Sequence, residues 1–124
     1  MWTLSGSIQV HLASEPIDGR KGVPGLMGLV QSVLQQDPYN GHAFVFLGRR
    51  RDLVKCLLWN RGGFVLLQKR LEQGRFVIPT VAPGATRVKL SGVQLSMLLE
   101  GMDVMASPLP KHWEPNRIDK SAPL

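Results

Sequence analysis

The stretch that decides the fold is residues 43–69, AFVFLGRRRDLVKCLLWNRGGFVLLQK, in which three apolar runs are separated by two short connections. The runs are rich in the β-branched and aromatic side chains that favour strands. Gly62 and Gly63 lie between the second and third runs and supply the positive backbone angles that a hairpin turn needs. The stretch therefore predicts an antiparallel meander over residues 43–47, 53–59 and 64–69.

The segment before this meander predicts one strand and one helix. Residues 7–12, SIQVHL, alternate apolar and polar side chains, as expected of a strand with one buried face. From about Gly22 to Gln36 the apolar residues recur at helical spacing and form one stripe that can pack on a sheet. We expect Asp18 to cap this helix and Pro24 to lie in its first turn.

The segment after the meander predicts a further strand and a second helix. Residues 74–79 read as a brief extended piece, and residues 86–90 alternate again. Ser91 and Gln94 have the spacing of a capping box at a helix start. Beyond residue 106, prolines are frequent and apolar residues scarce. We therefore predict one α+β domain over residues 1–105, an antiparallel sheet of about five strands with two packed helices, followed by a disordered tail over residues 106–124.

Positive charge is concentrated in the centre of the chain. The chain has 15 Lys and Arg against nine Asp and Glu, a net charge of +6. Residues 49–75 hold eight of the basic residues and only Asp52 and Glu72, so the whole excess lies there. Such asymmetry points to an anionic partner, nucleic acid first and an acidic protein or membrane surface second. The eight basic residues, which we take as candidate DNA contacts, are Arg49, Arg50, Arg51, Lys55, Arg61, Lys69, Arg70 and Arg75.

The sequence lacks the patterns that are typical of metal-dependent enzymes, secreted proteins and membrane proteins. The acidic residues are scattered singly, without the clustered carboxylates of a two-metal site. Cys56 lies between Lys55 and Leu57 in an apolar strand, as expected of a buried and inert thiol. No apolar run approaches a membrane span, and Met1–Ser5 lacks the features of a secretory signal. We expect a cytoplasmic protein that is not an enzyme and needs no metal or cofactor.

A series of short blocks in fixed order carries a resemblance to a known family. The chain resembles the TnpB-type accessory proteins of bacterial insertion sequences of family 66, which are distinct from the RNA-guided nuclease that shares the name TnpB. The similarity covers roughly residues 4–105. The blocks are Asp18-Gly19-Arg20-Lys21-Gly22, Asp37-Pro38, Phe44-Val45-Phe46, Arg49-Arg50-Arg51-Asp52, Leu58-Trp59, residues 69–76 from Lys69 to Phe76, and Leu98-Leu99-Glu100-Gly101.

The resemblance implies a helper that acts beside a separate, larger transposase. It assigns no role to individual residues. Together with the charge, it leads us to expect a protein that binds DNA at or near the element ends, with Arg49, Arg50 and Arg51 as the first phosphate contacts. The alternative is an adaptor that docks on the transposase without binding DNA itself. A regulator that binds its own transcript or promoter also stays open.

Overall fold

The computed structural model describes residues 7–104, which form a five-stranded sheet and two helices. In chain order the elements are β1 (Val10–Ala13), α1 (Val23–Ser32), β2 (Ala43–Leu47), β3 (Leu53–Asn60), β4 (Gly63–Arg70), β5 (Arg87–Leu90) and α2 (Gly92–Leu99). The expected α+β class is confirmed, as is the meander formed by β2, β3 and β4. The tail expected over residues 106–124 lies outside the described residues.

The sheet has the strand order β4-β3-β2-β1-β5 and is antiparallel at every pairing except one. β1 and β2 run parallel, with Val10 opposite Ala43. The expected antiparallel sheet of about five strands is confirmed, with this pair as its one parallel pairing. A parallel pair needs a long crossover connection, and the segment that contains α1 provides one between these two strands.

The two helices cover opposite faces of the sheet. Leu26 and Val30 of α1 pack with Phe44, Phe46 and the other side chains of one face, which we call the α1 face. Leu95 and Leu98 of α2 pack with Val10, Val45, Cys56 and the other side chains of the opposite face, the α2 face. Because both faces are covered, all four residues of β1 are buried, and the prediction of a single buried face for this strand was wrong.

The two helix starts differ in how their first amides are satisfied. The Ser91 hydroxyl accepts the Gln94 N–H at 3.0 Å, and the Gln94 side chain accepts the Ser91 N–H at 2.9 Å, which confirms the predicted capping box. α1 starts instead at Gly22 without a side-chain cap, and Pro24 lies in its first turn as predicted. The expected cap by Asp18 was wrong, because its carboxylate accepts the Arg20 backbone N–H at 2.9 Å.

Candidate nucleic-acid interface

The arginine loop, residues 48–52, connects β2 to β3 through a compact turn. The Arg51 N–H donates to the Gly48 carbonyl at 2.9 Å, and the Gly48 N–H donates to the Leu53 carbonyl at 2.9 Å. Arg51 has a φ of +64°, in the left-handed region that side chains other than glycine adopt rarely. Arg49, Arg50 and Arg51 are all exposed. The loop therefore holds three arginines in solvent on a backbone fixed by hydrogen bonds.

A second segment brings Arg20 to the same end of the sheet. Ile17 forms a parallel bridge with Gly48, and the Ile17 N–H donates to the Leu47 carbonyl at 2.8 Å. Just beyond this bridge, the Arg20 guanidinium binds both oxygens of the Asp18 carboxylate, at 2.9 and 3.1 Å. These hydrogen bonds from Arg20 hold the pKa of the Asp18 carboxyl well below its usual range. The side chain of Arg20 nevertheless stays 91% exposed.

The end of β4 and the segment after it add two further arginines. Arg70 lies opposite Leu53 in the β3–β4 ladder, and its guanidinium contacts the Asp52 carboxylate at 3.3 Å. The Phe76 N–H donates to the Arg51 carbonyl at 2.6 Å, which fixes the exposed Arg75 next to the loop. Both residues therefore extend the charge of the arginine loop.

These segments surround an open cleft of about 360 Å³ at the end of the sheet. Arg20, Arg49, Arg50 and Arg70 line it together with Asp18 and Asp52. We call the set Arg20, Arg49, Arg50, Arg51, Arg70 and Arg75 the basic end. Against its six arginines stand four acidic residues: Asp18 and Asp52 in the cleft, Glu15 beside Arg51, and Glu72 between Arg70 and Arg75 in the chain. This end of a small protein therefore has an excess of two positive charges. This field attracts anions and concentrates them at the surface.

Lys55, one of the eight candidate residues, does not reach this surface. Its side chain lies on the α1 face and is only 5% exposed. The Lys55 ammonium donates to the Lys21 carbonyl at 2.6 Å, so it ties the start of α1 to the middle of β3. A buried charge needs a polar partner of this kind. Lys55 therefore has a structural position and is left out of the basic end.

Arg61 is far from the basic end, whereas Lys69 adjoins Arg70 in β4 but points to the opposite face of the sheet. Arg61 lies in the β3–β4 turn, at the opposite end of the eight-residue strand β3, which corresponds to about 25 Å. Lys69 lies on the α2 face, where its ammonium donates to the Leu99 carbonyl at 2.6 Å near the end of α2. Of the eight candidates, the structure brings together Arg49, Arg50, Arg51, Arg70 and Arg75.

Arg20 is the residue of the basic end that sequence reasoning missed. Its spacing from Asp18 is that of a local salt bridge, which the structure contains. Nothing in the spacing connects it with the arginine loop 29 residues later. The connection depends on the bridge between Ile17 and Gly48, which is a feature of the tertiary structure.

Other titratable groups lie in the interior. The ring of His11 packs edge-on against that of His42 with centroids 6.0 Å apart. Burial raises the pKa of the Cys56 thiol to about 12. Within residues 7–104, no group of three or more His, Cys, Asp or Glu side chains is arranged to hold a metal ion. None of the helices in this part of the chain is long and apolar enough to cross a membrane.

Comparison with known proteins identifies the family. The family model described as "IS66 Orf2 like protein" matches residues 8–108. The Sinorhizobium fredii protein y4jC is 39% identical over 99 residues, which cover 80% of this chain and 83% of that protein. The protein y4hO of the same organism is 43% identical over 98 residues, which cover 78% of this chain and 83% of that protein. No solved structure matches the chain. The chain belongs to the IS66 Orf2-like family, and its role is associated with insertion sequences.

Proposed function

We propose that this protein assists transposition by binding DNA through the basic end and helping the element's transposase to assemble there. The observation that carries the proposal is the convergence of six arginines from three separate segments of the chain on one end of the sheet. Family membership supplies the context, since it associates the protein with insertion sequences, and the DNA of such an element is a polyanion. The excess positive charge supplies the physical reason.

Arginine suits this role better than lysine does. Its planar guanidinium offers several donors in a fixed arrangement that matches two phosphate oxygens at once. Arg49 and Arg50 lie on a turn whose backbone is already fixed by hydrogen bonds, so little backbone freedom is lost when a phosphate binds. Phosphate contacts position a protein on DNA but do not read its sequence. We therefore expect DNA binding with a weak sequence preference.

The proposal is tested by fluorescence anisotropy with duplex and single-stranded DNA of the element ends, each with a scrambled control, across a salt series. The variant is Arg49→Ala with Arg50→Ala, and Arg51→Gly added, because glycine preserves the positive φ at that position. Each lost phosphate contact should lower the slope of log affinity against log salt by about 0.9 for duplex DNA. For the triple variant, the magnitude of the slope of log affinity against log salt should therefore be smaller by about 3. Its thermal midpoint should change little.

The matched control for a general loss of charge is Arg61→Gly, which preserves the positive φ of +48° at that position, combined with Lys89→Ala. It is compared with the double variant Arg49→Ala and Arg50→Ala. Each pair removes two positive charges, but Arg61 and Lys89 lie outside the basic end. The control pair should retain most of the affinity. Equal losses from both pairs would show that net charge acts without a defined site. An absence of DNA binding at low salt would refute the proposal and direct the work to the transposase-adaptor alternative.

A further inference from the structure

The two edges of the sheet differ in length and in protection. β5 has four residues, and its α1-face positions carry Arg87 and Lys89. β4 has eight residues, and no other strand of residues 7–104 pairs with its outer side. Exposed edge strands are templates for pairing with another chain, and natural proteins protect them with short lengths and charges. β5 has both protections, whereas β4 is long.

The direction of the backbone groups of β4 follows from the β3–β4 hairpin. Asn60 lies opposite Gly63 across a two-residue turn, and the Leu71 N–H donates back to the Asp52 carbonyl at 2.7 Å. Since alternate residues of a strand direct their N–H and C=O groups to opposite sides, the odd-numbered residues of β4 bond to β3. The even-numbered residues, Phe64, Leu66, Gln68 and Arg70, direct theirs outward.

The side chains of this edge are apolar over half of its length, from Phe64 to Leu67. Phe64, Val65 and Leu66 are only partly buried, and Leu67 is 37% exposed. The charged residues of β4, Lys69 and Arg70, stand together at its end. An edge protected along its length would carry charges in the apolar run as well. Residues 64–67 therefore present both apolar side chains and outward backbone groups.

We propose that β4 pairs antiparallel with β4 of a second copy of this chain, centred on Leu66, so that the two sheets become one. Opposing residues in an antiparallel pair must lie on the same face of the sheet, which allows Leu66 to face Leu66 of the second copy. Val65 then faces Leu67, Phe64 faces Gln68, and the two basic residues Lys69 and Arg70 face glycines 63 and 62. The outward groups of residues 64, 66 and 68 would form about six hydrogen bonds across the pair.

The side chains of β4 suit those of a second copy in the antiparallel orientation. In the antiparallel arrangement no basic residue of β4 faces another, and the apolar run covers itself. A parallel arrangement would place like charges side by side at the end of the strands, which is unfavourable. The antiparallel pair also has a two-fold axis, so it closes as a dimer instead of continuing as a fibre. The two basic ends would lie at opposite ends of the joined strands, and of their arginines only Arg70, the last residue of β4, would border the interface.

The first test is the mass of the full chain in solution across a concentration series, by sedimentation equilibrium. We expect a dimer, twice the chain mass of 13.7 kDa. Gln68→Pro removes one outward N–H without touching the bonds to β3, and it should weaken self-association roughly a hundredfold. Gln68→Ala, which keeps the N–H, should dimerise like the parent. A parent chain that stays monomeric at the highest concentration would overturn the proposal.

A cysteine pair provides a second test that does not depend on Gln68→Pro folding. Leu66→Cys places two thiols across the two-fold axis, where opposing Cα atoms about 5.5 Å apart suit a disulfide. Gln68→Cys, on the same strand and face, places its two thiols about four residues apart along the pair and should not cross-link. The native Cys56 is buried and contributes no background. Equal cross-linking of both variants, or a dimer without cross-linking of Leu66→Cys, would overturn this interface. Neither result depends on DNA binding, because the proposed DNA contacts all lie within a single copy of the chain.

Discussion

His11 should make the stability of this protein depend on pH below neutrality. The His11 side chain is 1% exposed, and its ring stacks on that of Phe44 with centroids 5.4 Å apart. Neither ring nitrogen makes a hydrogen bond within the described part of the chain. Burial, with the positive charges of Arg87 and Lys89 and the His42 ring nearby, lowers the pKa of His11 from 6.5 to about 4. The fold therefore holds this imidazole neutral.

The sign of the effect follows from the two pKa values of His11. Between about pH 6.5 and about pH 4 the unfolded chain binds a proton at His11 that the folded protein excludes. The contribution of His11 to the free energy of unfolding is therefore fully present above pH 6.5. It falls as the pH is lowered from about 6.5 to about 4. From about pH 7 to about pH 5 the free energy of unfolding should fall by about 1 to 2 kcal/mol through His11, after allowance for solvent screening.

The perturbation is His11→Phe, which keeps a flat ring against Phe44 and removes the titrating group. Urea unfolding followed by circular dichroism at both pH values gives the free energies. Between about pH 7 and about pH 5, the free energy of unfolding of the parent should fall by about 1 to 2 kcal/mol more than that of the variant. His42→Gln is the control, since it keeps His11 and should retain most of the parent's loss. An identical loss in the parent and in His11→Phe would refute the reasoning.

Three further predictions concern the fold and its one thiol. Ser91→Ala should lower the free energy of unfolding by about 1 kcal/mol, because it removes one half of the capping box; an unchanged urea midpoint would contradict this. Gly62→Ala should cost about 1 to 2 kcal/mol in the same assay, because Gly62 has a φ of +88°. Gly63→Ala, where a methyl group meets open space, should cost clearly less, and equal costs would argue against the turn geometry. Cys56 should resist thiol reagents in the native protein and react in urea, because burial raises its pKa to about 12.

The sequence by itself determined the elements whose signals are local. The strands of the meander, the hairpin turn between the second and third of them and the capping box at Ser91 are all present at or within a residue or two of the predicted positions. The positive φ values of that turn lie at Arg61 and Gly62, so the expected positive angle at Gly63 was wrong. Each depends on neighbours in the chain: strand-forming side chains, a glycine with a positive φ, or hydroxyl and amide groups three residues apart. The concentration of charge in residues 49–75 was likewise readable from composition alone.

Only the tertiary structure decided which of those charges share a surface. Lys55 reads as an exposed strand residue, yet α1 covers it and the Lys21 carbonyl binds its ammonium. Arg20 reads as half of a local salt bridge, yet the bridge between Ile17 and Gly48 brings it to the arginine loop. The sequence also did not predict that β1 pairs parallel with β2 or that the helices lie on opposite faces of the sheet. These features depend on contacts between residues far apart in the chain, which form because they bury apolar surface from both faces of the sheet, and no local pattern records them.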